Sequence, residues 1–202
     1  MGTPQIKRVR IAIFASGNGS NAENCILYFQ KSAIAEVALV VTNNPQAGVI
    51  QRAIKQNVPL RIFSNDAWQN PGHIITQLQS FHIQLIVLAG YLKLIPSEII
   101  QAYPQRIINI HPALLPKYGG KGMYGHKVHA SVIANHERET GITIHYANAE
   151  YDKGDIIFQK SFPVAADDTA ETIEGKVHAL EYAFLPKIVE QVAIDILQAN
   201  NA

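Results

Sequence analysis

Hydrophobic and polar positions divide the first half of the chain into short apolar runs and segments with helical spacing. The apolar, β-branched runs predict strands at residues 9–15, 37–41, 59–63, 85–89 and 106–110. Apolar residues that recur at spacings of three and four predict helices at residues 22–31, 46–56, 67–81 and 97–103. Such alternation of strand and helix is typical of a parallel sheet covered by helices on both faces.

The pattern changes after residue 116. A glycine-rich loop at residues 117–125 precedes a predicted helix, and two further strands joined by a turn form a hairpin, which makes the sheet mixed. These later elements are predicted at residues 126–135, 141–148 and 156–164. The last element is a long helix that we expect to be capped by Asp168 and Glu171 and bent or broken near Pro186.

Together these elements predict the α/β class: a single doubly wound, Rossmann-like domain over residues 1–202, with a mostly parallel central sheet, an antiparallel C-terminal hairpin and a long helix. Composition agrees with one globular domain, since 48% of the residues are hydrophobic and 16% are charged. The formal net charge of +1 provides no field that attracts nucleic acid or an acidic membrane. We therefore expect small-molecule partners.

The compartment follows from cysteine usage and from the apolar runs. The only cysteine is Cys25, so no disulfide framework is possible within the chain. The apolar run after the basic N-terminus is too short for a signal sequence, and no run approaches the ~18 apolar residues of a membrane span. We expect a soluble, cytoplasmic protein.

Candidate chemistry begins at Asn109 and His111. In a strand, side chains two residues apart lie on the same face, so the amide and the imidazole point into one space. Pro112 has no N–H for the sheet and ends the strand directly after the histidine. The end of a strand is where open α/β sheets bind their ligands.

A glycine turn at residues 16–21 joins the first strand to the first helix. Its backbone N–H groups and the helix N-terminus suit a phosphate, whereas Ser20 or Asn21 alternatively serves only as a helix cap. Gly17, Gly19 and Ala22 fit the dinucleotide pattern G-x-G-x-x-A, but no acidic residue ends the second strand to hold a ribose. The sequence therefore favours a single phosphate over a dinucleotide.

A second turn, at residues 90–96, follows the apolar strand at 85–89. Its backbone groups are placed to bind a flat heterocycle, and the alternative is that Leu92, Leu94 and Ile95 pack in the core. No G-x-S-x-G elbow and no H-E-x-x-H motif occur, so neither a serine nucleophile nor a metal is expected. An amide, an imidazole and the carboxylate of Asp152 are instead suited to stabilise an oxyanion and transfer a proton.

Four ordered motifs resemble the 10-formyltetrahydrofolate-dependent formyltransferase family. They are residues 16–21, 109–116, 141–145 and 152–157, within a similarity that extends from Arg8 to about Val189. The resemblance implies direct transfer of a formyl group from 10-formyltetrahydrofolate to the amine of glycinamide ribonucleotide, without a metal or a covalent enzyme intermediate. It implies a monomer or homodimer that binds these two small molecules and neither nucleic acid nor a membrane.

The resemblance also assigns roles to residues. Asn109 and His111 match the residues that hold the formyl oxygen, and Asp152 matches the aspartate that keeps the histidine protonated and moves the amine proton through a water. The phosphate and ribonucleotide site matches Gly19, Ser20, Asn21 and Glu181. The folate site matches Leu92, Lys93, Leu94, Ile95, Asn109, Asn148, Ala149, Glu150, Tyr151 and Asp152. Supporting positions match His145, His129 and Lys117, and a further helix-leading position matches either His126 or Lys127.

Two departures and three alternative functions accompany this resemblance. Lys93 stands where the family often has an arginine, and the loop at residues 117–125 is longer and richer in glycine than usual.

A 10-formyltetrahydrofolate hydrolase is expected to have an additional N-terminal regulatory domain, which residues 1–7 do not supply. A methionyl-tRNA formyltransferase is expected to carry a C-terminal nucleic-acid-binding domain. A folate- or nucleotide-binding module without turnover is the third alternative.

Within the domain we expect the N-terminal half to bind the nucleotide and the C-terminal half to bind folate and carry the catalytic residues.

Overall fold

Seven strands form one sheet in the computed structural model, which describes residues 8–64 and 66–200. The strands are β1 (Val9–Phe14), β2 (Ala35–Thr42), β3 (Leu60–Ile62), β4 (Leu85–Leu88), β5 (Ile107–His111), β6 (Glu139–Tyr146) and β7 (Ile156–Pro163). The helices are α1 (Ser20–Phe29), α2 (Val49–Lys55), α3 (Pro71–Ser80), α4 (Ser97–Ala102), α5 (His126–Ala134) and α6 (Ala170–Ala199), with a 3₁₀ turn at Ala67–Gln69. The outermost residues of the expected domain, 1–7 and 201–202, lie outside the described residues.

The strand order is β3-β2-β1-β4-β5-β6-β7. Strand β1 pairs in parallel with both β2 and β4, and β4 pairs in parallel with β5. Strands β6 and β7 extend the sheet in antiparallel pairs. The order therefore reverses between β1 and β4, and doubly wound sheets bind ligands beside such a reversal, at the carboxyl ends of the strands. The predicted mixed sheet, C-terminal hairpin and long helix are confirmed.

Two hydrophobic clusters cover the two faces of the sheet. Ile11 and Ile13 of β1 belong to the cluster that contains residues of α1 and α6. Ala12 and Phe14 belong to the other cluster, which contains residues of α3 and α4. Successive side chains of a strand point to opposite faces, so an inner strand covered on both sides is apolar at every position.

Several predicted helix starts are wrong in detail, among them those of α1 and α3. Helix α1 begins at Ser20, and Gly19 occupies the cap position in the left-handed region with φ of 75° and no side-chain cap bond. Ser20 and Asn21 are therefore inside the first turn rather than capping it. The segment predicted as one helix over residues 67–81 is divided into the 3₁₀ turn and α3, which begins at Pro71. Proline suits a first helical turn, because the N–H that it lacks has no intrahelical partner there.

Helix α6 is capped one residue later than predicted. Thr169 and Thr172 form the capping box, while the Asp168 carboxylate accepts hydrogen bonds from the Ala165 N–H, the Thr172 hydroxyl and the Lys176 ammonium. The helix continues through Pro186 to Ala199, so it is not broken at the proline. In residues 8–64 and 66–200, no helix combines the length and apolarity that a bilayer crossing requires.

Gly154 packs directly against the backbone at the end of β6. A Cβ at this position lies 1.7 Å from the Tyr146 carbonyl oxygen, and backbone cannot rotate away as a side chain does. We expect Gly154→Ala to lower the free energy of unfolding by about 1–3 kcal/mol or more, measured by urea denaturation.

The matched control is Gly175→Ala on an exposed face of α6. A Cβ there meets nothing within 4 Å. Because alanine favours a helix interior over glycine, this variant should gain about 0.5–1 kcal/mol. Equal stability of the two alanine variants would contradict the packing that the structure gives Gly154.

Candidate active site

A cavity of about 680 Å³ opens at the carboxyl ends of β1, β4 and β5. Its walls include residues 17–21 after β1, 88–95 after β4 and 109–112 at the end of β5. The rest of the lining comes from residues 120–125, 147–148 and 150–152, from His129 and His145, and from three side chains of α6. The cavity therefore lies where the order of the strands reverses, and it brings together the glycine turn, the second turn and the Asn-x-His segment that the sequence singles out.

The glycine turn is fixed from behind by helix α2. A Cβ on Gly19 lies only 2.4 Å from the Val49 Cβ, and its φ of 75° also favours glycine. The Val49 N–H donates to the Gly17 carbonyl, and Arg52 donates to both the backbone and the side-chain oxygen of Asn18. The turn is thus held in a shape that directs the N-terminus of the ten-residue helix α1 toward the cavity, an arrangement that suits an anion.

The turn after β4 contributes apolar side chains to the opposite wall. Leu92 and Leu94 are 48% and 42% exposed and line the cavity, whereas Ile95 is 4% exposed. The core-packing alternative therefore holds for Ile95 and is wrong for the two leucines. Exposed leucines on a concave wall are suited to pack against an apolar ligand ring.

Asn109, His111 and Asp152 meet at the centre of the cavity. Asn109 Nδ2 donates to Asp152 Oδ1 at 3.3 Å and lies 3.0 Å from His145 Nε2. His111 Nδ1 lies 3.5 Å from the same Asp152 oxygen. His145 reaches the same cluster because the antiparallel pairing of β6 with β5 places it opposite Asn109. The amide, the imidazole and the carboxylate therefore form one cluster, although Asp152 is far from the other two in sequence.

The His111 ring has a fixed orientation. Its Nε2–H donates to the Tyr118 carbonyl at 2.8 Å, which leaves Nδ1 toward Asp152. Burial lowers the pKa of His111, and the Asp152 charge and the Tyr118 carbonyl raise it only in part, so the pKa lies below its ordinary value. The Asp152 charge acts in the direction that a protonated ring requires, but burial outweighs it, and the role of Asp152 in keeping His111 protonated stays a prediction.

Asp152 remains a carboxylate in this environment. Burial acts to raise its pKa, but the His145 ring, the charge of a protonated His111 and the Gly120 N–H together hold the pKa below the ordinary value. Gly120 donates to Oδ2 at 2.8 Å, which leaves Oδ1 to Asn109 and the two rings. The residue has a φ of 56°, and Asp and Asn are among the few non-glycine residues that adopt this region readily.

Glu181 of helix α6 is hydrogen-bonded to the glycine turn. The Asn21 amide donates to Oε2 at 2.8 Å, and the glutamate is only 5% exposed. Burial raises the pKa of Glu181 more than the Asn21 bond and the His178 charge lower it. Glu174 and His178 line the same wall. Sequence reasoning missed both, although the spacing of four residues from Glu174 to His178 and of three from His178 to Glu181 places all three on one face of α6.

The remaining predicted residues divide into two groups. The side of the cavity near α5 includes His129, whose Nδ1 is buried without a hydrogen-bond partner, and Lys121 of the glycine loop also lines the cavity. Lys117 is not in the lining and pairs with Glu137 at 2.9 Å. The exposed Ala149 is likewise outside the lining, although Asn148, Glu150 and Tyr151 belong to it.

Comparisons with known proteins agree with these motifs. The sequence profile of the formyl transferase family matches residues 9–189. The chloroplastic phosphoribosylglycinamide formyltransferase of Vigna unguiculata is 39% identical over 190 residues, which cover 92% of this chain and 61% of the relative. This chain therefore spans less than two thirds of the length of that plant protein. The phosphoribosylglycinamide formyltransferase of Bacillus subtilis (strain 168) is 39% identical over 188 residues, which cover 91% of this chain and 94% of the relative.

Solved structures agree in fold as well. The crystal structure of phosphoribosylglycinamide formyltransferase from Bacillus halodurans superimposes with a TM-score of 0.82 at 34% identity, covering 91% of this chain and 94% of that chain. The profile match extends over most of this chain, and it includes the glycine turn, the Asn109–His111 segment and Asp152. The resemblance that the four motifs carry is confirmed: the chain belongs to the formyl transferase family.

Proposed function

We propose that this protein transfers the formyl group of 10-formyltetrahydrofolate to the amine of glycinamide ribonucleotide, a step of purine biosynthesis. The observation that carries the proposal is the single cavity that joins an anion-binding turn, an apolar wall and the Asn109, His111 and Asp152 cluster between them. Relatives named phosphoribosylglycinamide formyltransferase support the same acceptor and the same transferred group.

In this proposal each substrate occupies one side of the cavity. The ribonucleotide phosphate binds at Gly19, Ser20 and Asn21, with Glu181 beside its sugar or its glycinamide group. The folate ring packs on the wall that carries Leu92 and Leu94. The folate residues would then include Lys93, Ile95, Asn109 and 148–152. In sequence, the phosphate-binding turn follows β1, whereas the proposed folate residues come after β4. Nucleotide binding would therefore belong chiefly to the N-terminal part of the domain, and folate binding and catalysis to the C-terminal part.

The chemical step places charge on the formyl oxygen. The substrate amine attacks the formyl carbon, a C–N bond forms, and the carbonyl oxygen becomes an oxyanion. The Asn109 amide and Nδ1 of His111 both lie beside Asp152 Oδ1, so the formyl oxygen would accept from the amide and, when the ring is protonated, from the Nδ1–H as well. Burial disfavours a charged His111 in the free protein, whereas the Asp152 carboxylate and a nearby oxyanion favour it, so the ring would hold its proton throughout the transfer and take none from the amine.

Proton movement completes the transfer. The amine that attacks must lose one proton, and the folate nitrogen that leaves must gain one, so no net proton is exchanged with solvent. The Asp152 carboxylate, kept ionised by its neighbours, is suited to accept the proton through a water and return it to the leaving nitrogen. The step requires neither a metal nor a covalent enzyme intermediate. We propose a cytoplasmic enzyme that acts as a monomer or homodimer and binds neither nucleic acid nor a membrane.

A single assay tests this function against its alternatives. The full chain is mixed with 10-formyltetrahydrofolate, and loss of the formyl group is followed with and without glycinamide ribonucleotide. Loss that depends on the ribonucleotide, with formation of its N-formyl product, is the expected result. Loss at an equal rate without the ribonucleotide would indicate a hydrolase instead, and binding of folate without any loss would indicate a module without turnover.

A further inference from the structure

Ser16 is a buried polar residue directly before the glycine turn, and it uses all of its hydrogen-bonding groups. Its N–H donates to the Gly90 carbonyl at 3.0 Å, and its carbonyl accepts from the Asn44 amide at 3.4 Å. The hydroxyl donates to Asn43 Oδ1 at 2.6 Å and accepts from the Leu92 N–H at 3.0 Å. Ser16 therefore links the ends of β1, β2 and β4 at the point where the strand order reverses.

The direction of the hydroxyl follows from Asn43. A hydroxyl has one proton and two lone pairs, so donation to Asn43 leaves a lone pair for the Leu92 N–H. Asn43 thus fixes the rotation of the hydroxyl, and the hydroxyl fixes one peptide of the turn that carries Leu92 and Leu94. Ser16 itself is not part of the cavity lining. No hydrogen bond of its hydroxyl reaches residues 17–21.

We propose that Ser16 is a positioning residue for the folate, although it adjoins the phosphate-binding turn in sequence. It acts through Leu92, by holding the turn after β4 in the conformation that presents its apolar wall to the cavity. The inference rests on the proposed function and adds a residue that serves one of the two substrates. Its consequence is selective: loss of the hydroxyl should weaken folate binding and leave ribonucleotide binding nearly unchanged.

Steady-state kinetics of Ser16→Ala in the full chain tests this selectivity. Without an acceptor, the Leu92 N–H loses the one partner that it has among residues 8–64 and 66–200, and we expect KM for 10-formyltetrahydrofolate to rise roughly tenfold. The turnover number and KM for glycinamide ribonucleotide should each change less than about threefold, because the hydroxyl touches neither the reacting groups nor the glycine turn. A variant that was damaged only in its overall fold would lose active protein, which lowers apparent turnover and does not raise one KM selectively.

Two further variants complete the test. Asn43→Ala keeps the hydroxyl but frees its rotation, so it should shift the same KM in the same direction by a smaller factor, and it provides the test if Ser16→Ala does not fold. Ser80→Ala removes an exposed hydroxyl on α3 that donates to the Gln77 carbonyl, and it should match the wild type. An unchanged folate KM, or a rise confined to the ribonucleotide KM, would overturn the inference while wild-type activity still supported the proposed function. Absence of any transfer by the wild type would instead remove the proposed function.

Discussion

Asp152→Asn is expected to lower turnover by about 10²–10⁴-fold, the range for loss of a positioned acid–base group. The amide cannot accept the amine proton, and it removes the negative charge that adjoins His111 Nδ1 at 3.5 Å. Asparagine has the same shape and tolerates the left-handed φ of 56° that Asp152 adopts, so the turn should keep its conformation. The measurement is kcat for formyl transfer at saturating concentrations of both substrates.

The pKa of His111 provides a second readout of the same variant. The Asp152 charge raises this pKa, so its removal should lower the pKa further below the ordinary value, as measured by NMR titration of the ring. Asp155→Asn is the matched control, because Asp155 is an exposed carboxylate of the same turn, and it should retain wild-type turnover. Near-normal kcat in Asp152→Asn would remove Asp152 from the mechanism.

Much of the fold could be predicted because periodicity and burial are closely related in an α/β sheet. Strand β4 is buried on both faces and reads as an unbroken apolar run, and Pro112 ends β5 after His111 as predicted. Helix starts were less predictable, since several polar residues near a start are able to cap it. Backbone dihedrals decide among them: Thr169, in an extended conformation, caps α6, and Gly19, in the left-handed region, precedes α1.

The candidate site was predictable where residues share a strand or a motif. Asn109 and His111 were placed together by their spacing, and the resemblance to a family supplied Asp152 and Glu181. One contact made by tertiary packing could not be predicted. Lys117 was expected at a supporting position of the site but forms an ion pair with Glu137. Which carboxylate a lysine contacts depends on the folded structure and cannot be read from the sequence.

The net pKa direction of His111 was also beyond sequence reasoning. A neighbouring carboxylate raises the pKa of a histidine, whereas burial lowers it, and the outcome depends on how much solvent the folded chain excludes. The sequence identified the carboxylate but not the extent of burial. For the proposed reaction this difference matters, because only the protonated ring has an Nδ1–H to donate to the oxyanion.

Asn109→Ala is expected to lower kcat by about 10²–10³-fold, the cost of removing one preorganised donor to an oxyanion. Contacts with Asp152 and His145 hold the amide nitrogen in the cluster before a substrate arrives, and the long 3.3 Å bond to Asp152 is the one that an oxyanion would replace. A donor that acts only as charge develops lowers kcat and kcat/KM together, and both KM values should stay within about threefold of the wild type. Asn24→Ala, which removes an exposed amide that bonds the Tyr182 carbonyl outside the cavity lining, should keep wild-type kcat. A raised KM with unchanged kcat would instead assign Asn109 to ground-state binding of a substrate, and the oxyanion would then need another donor.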